Sequence, residues 1–462
     1  MLNVRARRAL VGLALPVLAA AGCNSFLTDD DRLDRDPNNP TEASIDNLYN
    51  AMQVNLGGLL TGELARIVSM WMQQMAGTER QYAGQGQYIV DSDAFTFTQF
   101  YSQGGLVDIR RIEAKADSAG DQVYGGVARV WEVLLMTTAA DLWGDIPYRE
   151  ALNPDIPTAN VDPQAQVYAD LGLKIDTALT MLASGEGNGP GGLDRVYEGD
   201  PALWIEAANT LKARLLLRQV ETAADRNAVY AQVDAAAALG ISDASNDFTI
   251  YATSTAREQN QWYQFMIEQR AGYIAAGSFL LDLLQSTNDP RLGQYFSTNS
   301  ENEYVGTVSG GTLSDVSSLS AERIDPAFRQ PIMTWAENQL IRAEANFFLG
   351  GQGAAQPFLD AVRTAAGATI VPATIENVLT EKYIVNFQNI ETWSDWRRTC
   401  WPNLNPVVAG ESIPARLFYP AGDTQVNPNI PADPVRNSTD APGGIVVPAA
   451  ACLGSPADAA TP

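Results

Sequence analysis

Apolar residues recur three and four positions apart along most of this chain, and no other feature constrains its fold as strongly. One such series consists of Val127, Val130, Trp131 and Leu134, and a second series begins at Trp204. Side chains at positions i, i+3, i+4 and i+7 lie on one face of an α-helix, so each series predicts a helix with one buried face. The spacing therefore predicts an all-α protein.

Four further segments share this helical pattern. They are 162–183, 222–239, 332–349 and 354–366. The pairs Asp162-Pro163 and Asp200-Pro201 are typical of an N-cap followed by proline at the first helical position. No segment alternates apolar and polar residues for long, so at most short strands are expected, near 247–252 and 413–419.

The predicted helices come in pairs separated by long loops. The segments 332–349 and 354–366 are joined by a glycine-rich turn, and the small residues Ala345 and Ala355 lie where two helices would approach each other. Such a pair resembles a tetratricopeptide unit, although the roughly 34-residue consensus is not met strictly. Loops as long as 184–199 and 297–327 are uncommon without a function. We expect tetratricopeptide-like helix pairs with long irregular loops.

The N-terminus is typical of an exported lipoprotein. Basic residues precede an uncharged apolar run over 9–21, which has 13 residues and ends in Gly22-Cys23. That run is shorter than the roughly 20 residues needed to span a bilayer, but it fits a signal peptide. Small residues before the cysteine resemble a lipobox, which predicts cleavage before Cys23 and lipidation of Cys23, although Ala20 stands where the motif prefers leucine. An ordinary signal peptide with an incidental cysteine is the alternative.

The remaining chain divides into three predicted segments. Residues 23–40 form an acidic tether, 41–420 the helical domain, and 421–462 an irregular tail rich in proline and alanine. The tether contains Asp29-Asp30-Asp31, which resembles the acidic signals of surface-exported lipoproteins or serves only as a solvated linker. If Cys23 is lipidated, Cys400 and Cys452 remain, either as a disulfide or as two free thiols.

Composition excludes several classes of function. The chain has no histidine, which rules out Ser-His-Asp and Cys-His catalysis, HExxH zinc sites and histidine-ligated haem. A net charge of −24 argues against nucleic-acid binding. The glycine run at 184–193 lacks the lysine and hydroxyl residue of a phosphate-binding loop. No metal and no cofactor is predicted, and no pair of carboxylates stands out as a glycosidase pair.

Aromatic residues bordered by amide and hydroxyl groups are the candidates for ligand binding. Rigid aromatic rings in such surroundings suit stacking on sugars, whereas Trp131, Trp204 and Trp335 fall on helical faces and are expected in the core. The candidates lie in a Gln- and Gly-rich stretch and in the segment 260–263. They are Trp71, Arg80, Tyr82, Tyr101, Trp262 and Tyr263.

Several blocks, in this order behind the lipobox, resemble the SusD/RagB family of nutrient-binding outer-membrane lipoproteins. The most specific block is 141–152 (DLWGDIPYREAL), and together the blocks cover most of residues 23–420. The others are 36–41 (DPNNPT), 73–78 (QQMAGT), 124–128 (YGGVA), 208–215 (ANTLKARL), 335–337 (WAE), 391–398 (ETWSDWRR) and 413–420 (IPARLFYP).

This resemblance implies a tetratricopeptide-like helical fold and a non-catalytic surface lipoprotein. Such a protein caps a SusC-like TonB-dependent outer-membrane transporter and delivers glycans, oligosaccharides or peptides to it. The family blocks are mostly scaffold, and 144–147 is expected to form a turn that ends a helix. The aromatic candidates therefore rest on their chemistry alone. A secreted carboxylate-dependent glycosidase and a tetratricopeptide-type protein-interaction scaffold are the alternative functions.

Overall fold

The computed structural model describes residues 42–89, 94–311 and 314–431. The helices are numbered here in chain order. They are α1 Ile45–Thr61, α2 Glu63–Trp71, α3 Arg80–Gly86, α4 Ala94–Tyr101, α5 Leu106–Ala119, α6 Gln122–Trp143, α7 Gln164–Ser184, α8 Pro201–Leu217, α9 Arg226–Ala237, α10 Ser278–Ser286, α11 Arg291–Tyr295, α12 Trp335–Gly350, α13 Gln352–Ala365, α14 Ile375–Val385, α15 Glu391–Thr399 and α16 Ala421–Val426. A helical turn over Gln261–Tyr263 continues as a π-helix over Gln264–Gln269.

The chain divides into two units, one ending at Asn47 and one beginning at Leu48. In the described part of the first unit, the Ser44 hydroxyl accepts a hydrogen bond from the backbone N–H of Asn47 at 3.2 Å. All features below belong to the second unit. Within the described part of the chain, no helix is both long enough and apolar enough to cross a membrane.

Consecutive helices pack in pairs, which confirms the predicted all-α, tetratricopeptide-like fold. Helix α6 packs on α7, α8 on α9, and α12 on α13, while α9 also contacts α12. Ala345 and Ala355 are fully buried, as the predicted close approach of α12 and α13 requires. The four helices predicted at 162–183, 222–239, 332–349 and 354–366 begin and end within four residues of those limits.

Two small antiparallel sheets complete the fold. Strand β1 (Met75–Gly77) pairs with β3 (Ile274–Ala276), and β2 (Phe248–Ile250) pairs with β4 (Gln330–Met333). The strand predicted near 247–252 is thus confirmed. The strand predicted at 413–419 is wrong, because this segment lies along the end of α6: the backbone N–H of Leu417 donates to the Leu142 carbonyl at 2.6 Å, and Trp143 Nε1 donates to the Phe418 carbonyl.

The block 141–152 forms the end of α6 and the turn that follows it. Helix α6 ends at Gly144, whose φ of +80° favours glycine, so the predicted helix-ending turn is confirmed. Asp145 Oδ1 accepts a hydrogen bond from the backbone N–H of Gln164 at 2.8 Å and thereby caps α7. The predicted N-cap Asp162 is therefore wrong: its carboxylate accepts from the backbone of 148–149 instead. The predicted N-cap Asp200 is confirmed by its bond from the Ala202 N–H.

A buried ionic network joins α6, α8, α12 and α15. Arg218 Nη2 lies 2.8 Å from Asp141 Oδ2 and 2.6 Å from Glu391 Oε2. Arg214 forms a second ion pair with Glu337, and all five side chains are at least nine-tenths buried. Although burial alone would raise the pKa of the Asp141 carboxyl, the Arg218 guanidinium lowers it below its usual value. These ion pairs tie four helices together through their interior.

The C-terminal part of the described chain is partly ordered against the domain. Helix α16 lies within the predicted irregular tail, and Asn427 Nδ2 donates to the Ala159 carbonyl at 2.8 Å. The prediction that irregular structure begins at 421 is therefore wrong for this stretch, because the segment packs on the loop before α7. Cys400 is disulfide-bonded. Cys452, its predicted partner, lies outside the described residues, as do Cys23 and the predicted tether.

Candidate ligand-binding site

A cavity of about 290 Å³ opens between α1, the segment that follows β2, and the loop 257–261. Gly57 and Gly58 lie on the face of α1 that lines it, so the helix contributes no side chain at these two positions. A Cβ atom added at Gly57 would meet Ile250 Cγ2 at 3.0 Å, whereas one added at Gly58 would meet no atom within 4 Å. The indole of Trp131, from the buried core of α6, forms part of the wall.

The loop 193–199 is held in place by two side chains. Asp194 is buried, and its carboxylate accepts hydrogen bonds from the backbone N–H groups of Val196, Tyr197 and Gly199 and from the indole Nε1 of Trp204 at 2.7 Å. Carboxylates that accept several such bonds fix a loop firmly, because each bond is charge-assisted. The loop therefore presents its next residue at the cavity in a defined position.

Gln53, on α1, makes the second attachment of this loop. Its Nε2 donates to the Leu193 carbonyl at 3.0 Å, and its Oε1 accepts from the backbone N–H of Arg195 at 2.9 Å. Arg195 and Gln53 both line the cavity. The amide side chain of Gln53 thus fixes the position of the loop 193–199, which carries Arg195, relative to α1.

Tyr251 is the exposed aromatic residue of the cavity. It follows β2 directly, lines the cavity and is 40% exposed. The guanidinium carbon of Arg195 lies 5.4 Å from the centre of its ring, and that of Arg329 lies 5.9 Å from it. Arg329 Nη2 also donates to the Arg195 carbonyl at 2.6 Å. These contacts hold the ring in place at the edge of the cavity.

Gln330 has a polar side chain that the fold leaves without a partner. It begins β4, opposite Ile250 of β2, and lines the cavity. Only 1% of the residue is exposed, and neither its amide oxygen nor its amide nitrogen has a hydrogen-bond partner among the described residues. An unpaired buried amide costs roughly 1–3 kcal/mol. Such a group, facing a cavity, is suited to bond a polar ligand.

A second, more open cavity of about 810 Å³ adjoins the first and shares Val196 with it, while Arg329 lines this second cavity. Asp247 lines this second cavity, and its Oδ1 accepts a hydrogen bond from the backbone N–H of Trp335 at 2.7 Å, at the start of α12. Burial raises the pKa of Asp247 to about 7. A carboxyl group that protonates near neutral pH therefore lies beside the shared wall of the two cavities.

We expect Asp247→Asn to stabilise the protein at pH 8 by roughly 1–3 kcal/mol and to have little effect near pH 4. Because the folded-state pKa is raised, the folded protein binds the proton more tightly than the unfolded chain. The free energy of unfolding of the wild type therefore falls as the pH rises from about 4 to about 7. Asparagine removes this loss and keeps the oxygen that accepts from Trp335.

Denaturant unfolding of both proteins between pH 4 and pH 8 measures this difference. Asp282→Asn, at an exposed position of α10, serves as the control and is expected to show no such trend. An Asp247→Asn effect that is the same at every pH would contradict the prediction.

A family model described as starch-binding and associating with the outer membrane matches residues 37–368. This match spans well over half of the chain. The chain belongs to the SusD/RagB family. The family blocks found in the sequence lie mainly in the scaffold, since 141–152 ends α6 and 391–398 supplies α15 and its buried ions.

Solved SusD homologues have the same fold as this SusD/RagB protein. A chitin-binding SusD homologue from Flavobacterium johnsoniae is 22% identical, with 79% of this chain and 88% of that chain covered and a TM-score of 0.67. A SusD homologue from Bacteroides uniformis is 20% identical, with coverages of 82% and 94% and a TM-score of 0.69. A SusD/RagB family protein from Bacteroides thetaiotaomicron is 18% identical, with coverages of 84% and 95% and a TM-score of 0.66. No curated protein matches the sequence.

Three of the six candidate residues, and the hydroxyl group of a fourth, pack into the interior of this SusD/RagB domain. Trp71 is 1% exposed, donates its indole N–H to the Gln85 carbonyl and packs against Trp393. Tyr82 packs on Phe265, and Trp262 is completely buried. The hydroxyl group of Tyr101 is likewise buried, and burial raises its pKa. In this conformation these rings offer little surface to a ligand, because they complete the packing beneath the loops.

The remaining two candidates lie nearer the surface. Arg80 is exposed at the start of α3, and Tyr263 is half-buried in the turn capped by Asn260. Strands β1 and β3 bring the Arg80 segment and the segment after Tyr263 together, since the Thr78 hydroxyl donates to the Gly272 carbonyl. None of the six candidates lines either cavity. Ligand contact by these six residues stays a prediction.

The residues that do line the cavity were missed in the sequence. Tyr251 lies near the end of the predicted strand 247–252 and is followed by a polar segment. An aromatic residue at such a change from apolar to polar sequence could have been chosen as a candidate. Arg195 and Gln330 carry no comparable signal, because they come together only through the pairing of β2 with β4 and the attachment of the loop 193–199. The same holds for Arg329, which lines the second cavity and lies against Tyr251. Asn260 and Gln261 line the cavity although their neighbour Trp262 faces inward.

Proposed function

We propose that this protein captures carbohydrate at the cavity beside Tyr251 without cleaving it. The observation that carries the proposal is an exposed, positioned aromatic ring next to an unpartnered buried amide, Gln330, in one cavity. Sugar rings stack on aromatic faces through their C–H surfaces while their hydroxyl groups bond to amides, so both halves of a carbohydrate site are present. The family description and the chitin-binding homologue support this class of ligand.

We further propose that the protein works as a surface lipoprotein. Cys23, acylated after cleavage of residues 1–22, would anchor it in the outer membrane, because several acyl chains give stable membrane attachment. Residues 23–40 would act as the tether of the domain. A SusC-like TonB-dependent transporter would receive the captured glycan or peptide. The order of the family blocks behind a lipobox supports this assignment, and so does the outer-membrane description of the family.

We expect Tyr251→Ala to weaken carbohydrate binding by about tenfold or more, because it removes the only ring that the cavity exposes among the residues described. Isothermal titration of the full-length protein in detergent measures this loss. The probes are malto-oligosaccharides and chitin oligosaccharides, matching the ligand classes of the family and of its homologue. Product analysis of the same mixtures is expected to show intact oligosaccharides.

Tyr304→Ala is the matched control, since this tyrosine lies outside both cavities. We expect it to bind as the wild type does. If a carbohydrate binds and Tyr251→Ala retains full affinity, the cavity is not the binding site. If the protein hydrolyses the oligosaccharides, the non-catalytic function is wrong.

A further inference from the structure

We propose that the cavity beside Tyr251 selects an acidic sugar, one that carries a carboxylate or sulfate group. This inference rests on the proposed function and names the class of glycan that the same site takes. Its basis is a pair of arginines that line the cavity, Arg195 and Arg257, in a protein whose net charge is −24. A third, Arg329, lines the adjoining cavity and lies against the Tyr251 ring. Such a protein repels anions over most of its surface, so an unneutralised cationic rim marks a specific place for one.

These three arginines are exposed. Within the described ranges, Arg195, Arg257 and Arg329 form no ion pair, whereas the arginines of the helical core are paired with carboxylates. Glu258 also lines the cavity, and its Oε2 accepts a hydrogen bond from the Thr253 hydroxyl at 2.9 Å. Its single negative charge stands against the two guanidinium groups of Arg195 and Arg257, so the lining of the cavity is positive overall. The positive charge at this rim is therefore available to an incoming anion.

Positive charge alone does not define a binding site. The side chain of Gln330 is a second, independent feature of this cavity that favours a polar ligand. Its amide is almost wholly buried, lines the cavity and has no partner for either polar atom. A sugar whose ring lies on Tyr251 would present hydroxyl groups to this amide at the base and an acidic substituent to the guanidinium groups at the rim. Arginine is suited to this role because its planar N–H groups bind carboxylate and sulfate oxygens in pairs.

The competing explanation is structural. Arg195 and Arg329 flank the Tyr251 ring and could serve only to orient it. Arg257 separates the two explanations, because it lines the cavity but its guanidinium is not among those that lie over that ring in the described part of the chain. A purely orienting arginine affects every glycan equally, whereas an anion-binding arginine affects only acidic ones.

The test compares oligogalacturonides with their methyl esters, which share one backbone and differ in charge. A second arm compares sulfated galactan oligosaccharides with their desulfated forms, and neutral chitin and malto-oligosaccharides complete the set. The full-length protein is titrated with each probe. We expect an acidic probe to bind at least about tenfold more tightly than its neutral counterpart. Arg257→Gln should abolish that difference, and Arg257→Lys should restore part of it.

Each outcome decides between the alternatives. If the wild type binds oligogalacturonides more tightly than their methyl esters and Arg257→Gln does not, the ligand is a uronic acid. If the wild type binds the sulfated galactan more tightly than its desulfated form and Arg257→Gln does not, the ligand is a sulfated sugar. If neutral oligosaccharides bind and their acidic counterparts bind no more tightly, this inference is overturned while the proposed function stands. If no carbohydrate binds in any arm, the proposed function itself fails and this inference fails with it.

Discussion

Replacing Arg218 with methionine is expected to lower the free energy of unfolding by about 3–5 kcal/mol. The guanidinium of Arg218 bridges Asp141 and Glu391, and both carboxylates are buried. Methionine fills a comparable volume but removes the cation that lies between the two buried carboxylates, and Glu391 keeps only a longer pair with Arg214 Nη1 at 3.6 Å. Buried carboxylates that lose their nearest cation cost far more than the lost attraction of an exposed pair. We therefore expect the loss from this single substitution to be a large part of the free energy of unfolding of an ordinary domain, which is about 5–15 kcal/mol.

Arg149→Met is the matched control for this substitution. Arg149 also pairs with a carboxylate, Asp170 at 2.6 Å, but its side chain is half exposed. Exposed pairs contribute about 0–1 kcal/mol, so we expect a small change. Urea unfolding followed by circular dichroism measures both variants. Equal losses for Arg149→Met and Arg218→Met would show that burial of the network does not determine its contribution.

Periodicity and the family blocks predicted the helices and their pairing, because both depend on local spacing. The positions of α7, α9, α12 and α13 follow from apolar residues three and four apart. The ionic network was not predicted, although Asp141 and Arg218 are visible in the sequence. They are 77 positions apart, and nothing local shows that two helices bring them within 2.8 Å.

The candidate site was harder to predict for a physical reason. Trp71 and Trp262 are large aromatic residues in polar surroundings along the chain, but their burial depends on tertiary contacts such as Trp71 against Trp393. The residues next to an aromatic side chain in the sequence therefore do not predict whether its ring is buried in the folded protein. Asn260 shows the effect: its side chain caps the turn that directs Trp262 into the core, while the residue itself lines the cavity.

Replacing Gly58 with leucine is expected to weaken carbohydrate binding by at least about tenfold without destabilising the protein. Gly58 lines the cavity, and a Cβ atom there meets nothing within 4 Å, so the leucine side chain would extend into the space of about 290 Å³. Leucine also favours the helix over glycine by roughly 0.5–1 kcal/mol. The substitution thus opposes binding while it favours folding.

Gly57 is not suitable for this test, because a Cβ atom added there would lie only 3.0 Å from Ile250 Cγ2. A loss of binding could then come from a destabilised fold as well as from a blocked cavity. Gly172→Leu is the matched control: this glycine also lies in a long helix, α7, with no atom within 4 Å of its Cβ position, and it lines neither cavity. We expect both variants to melt at or above the wild-type temperature and only Gly58→Leu to lose binding. Because the blocked variant stays folded, unchanged affinity in Gly58→Leu would place the carbohydrate site elsewhere on the protein.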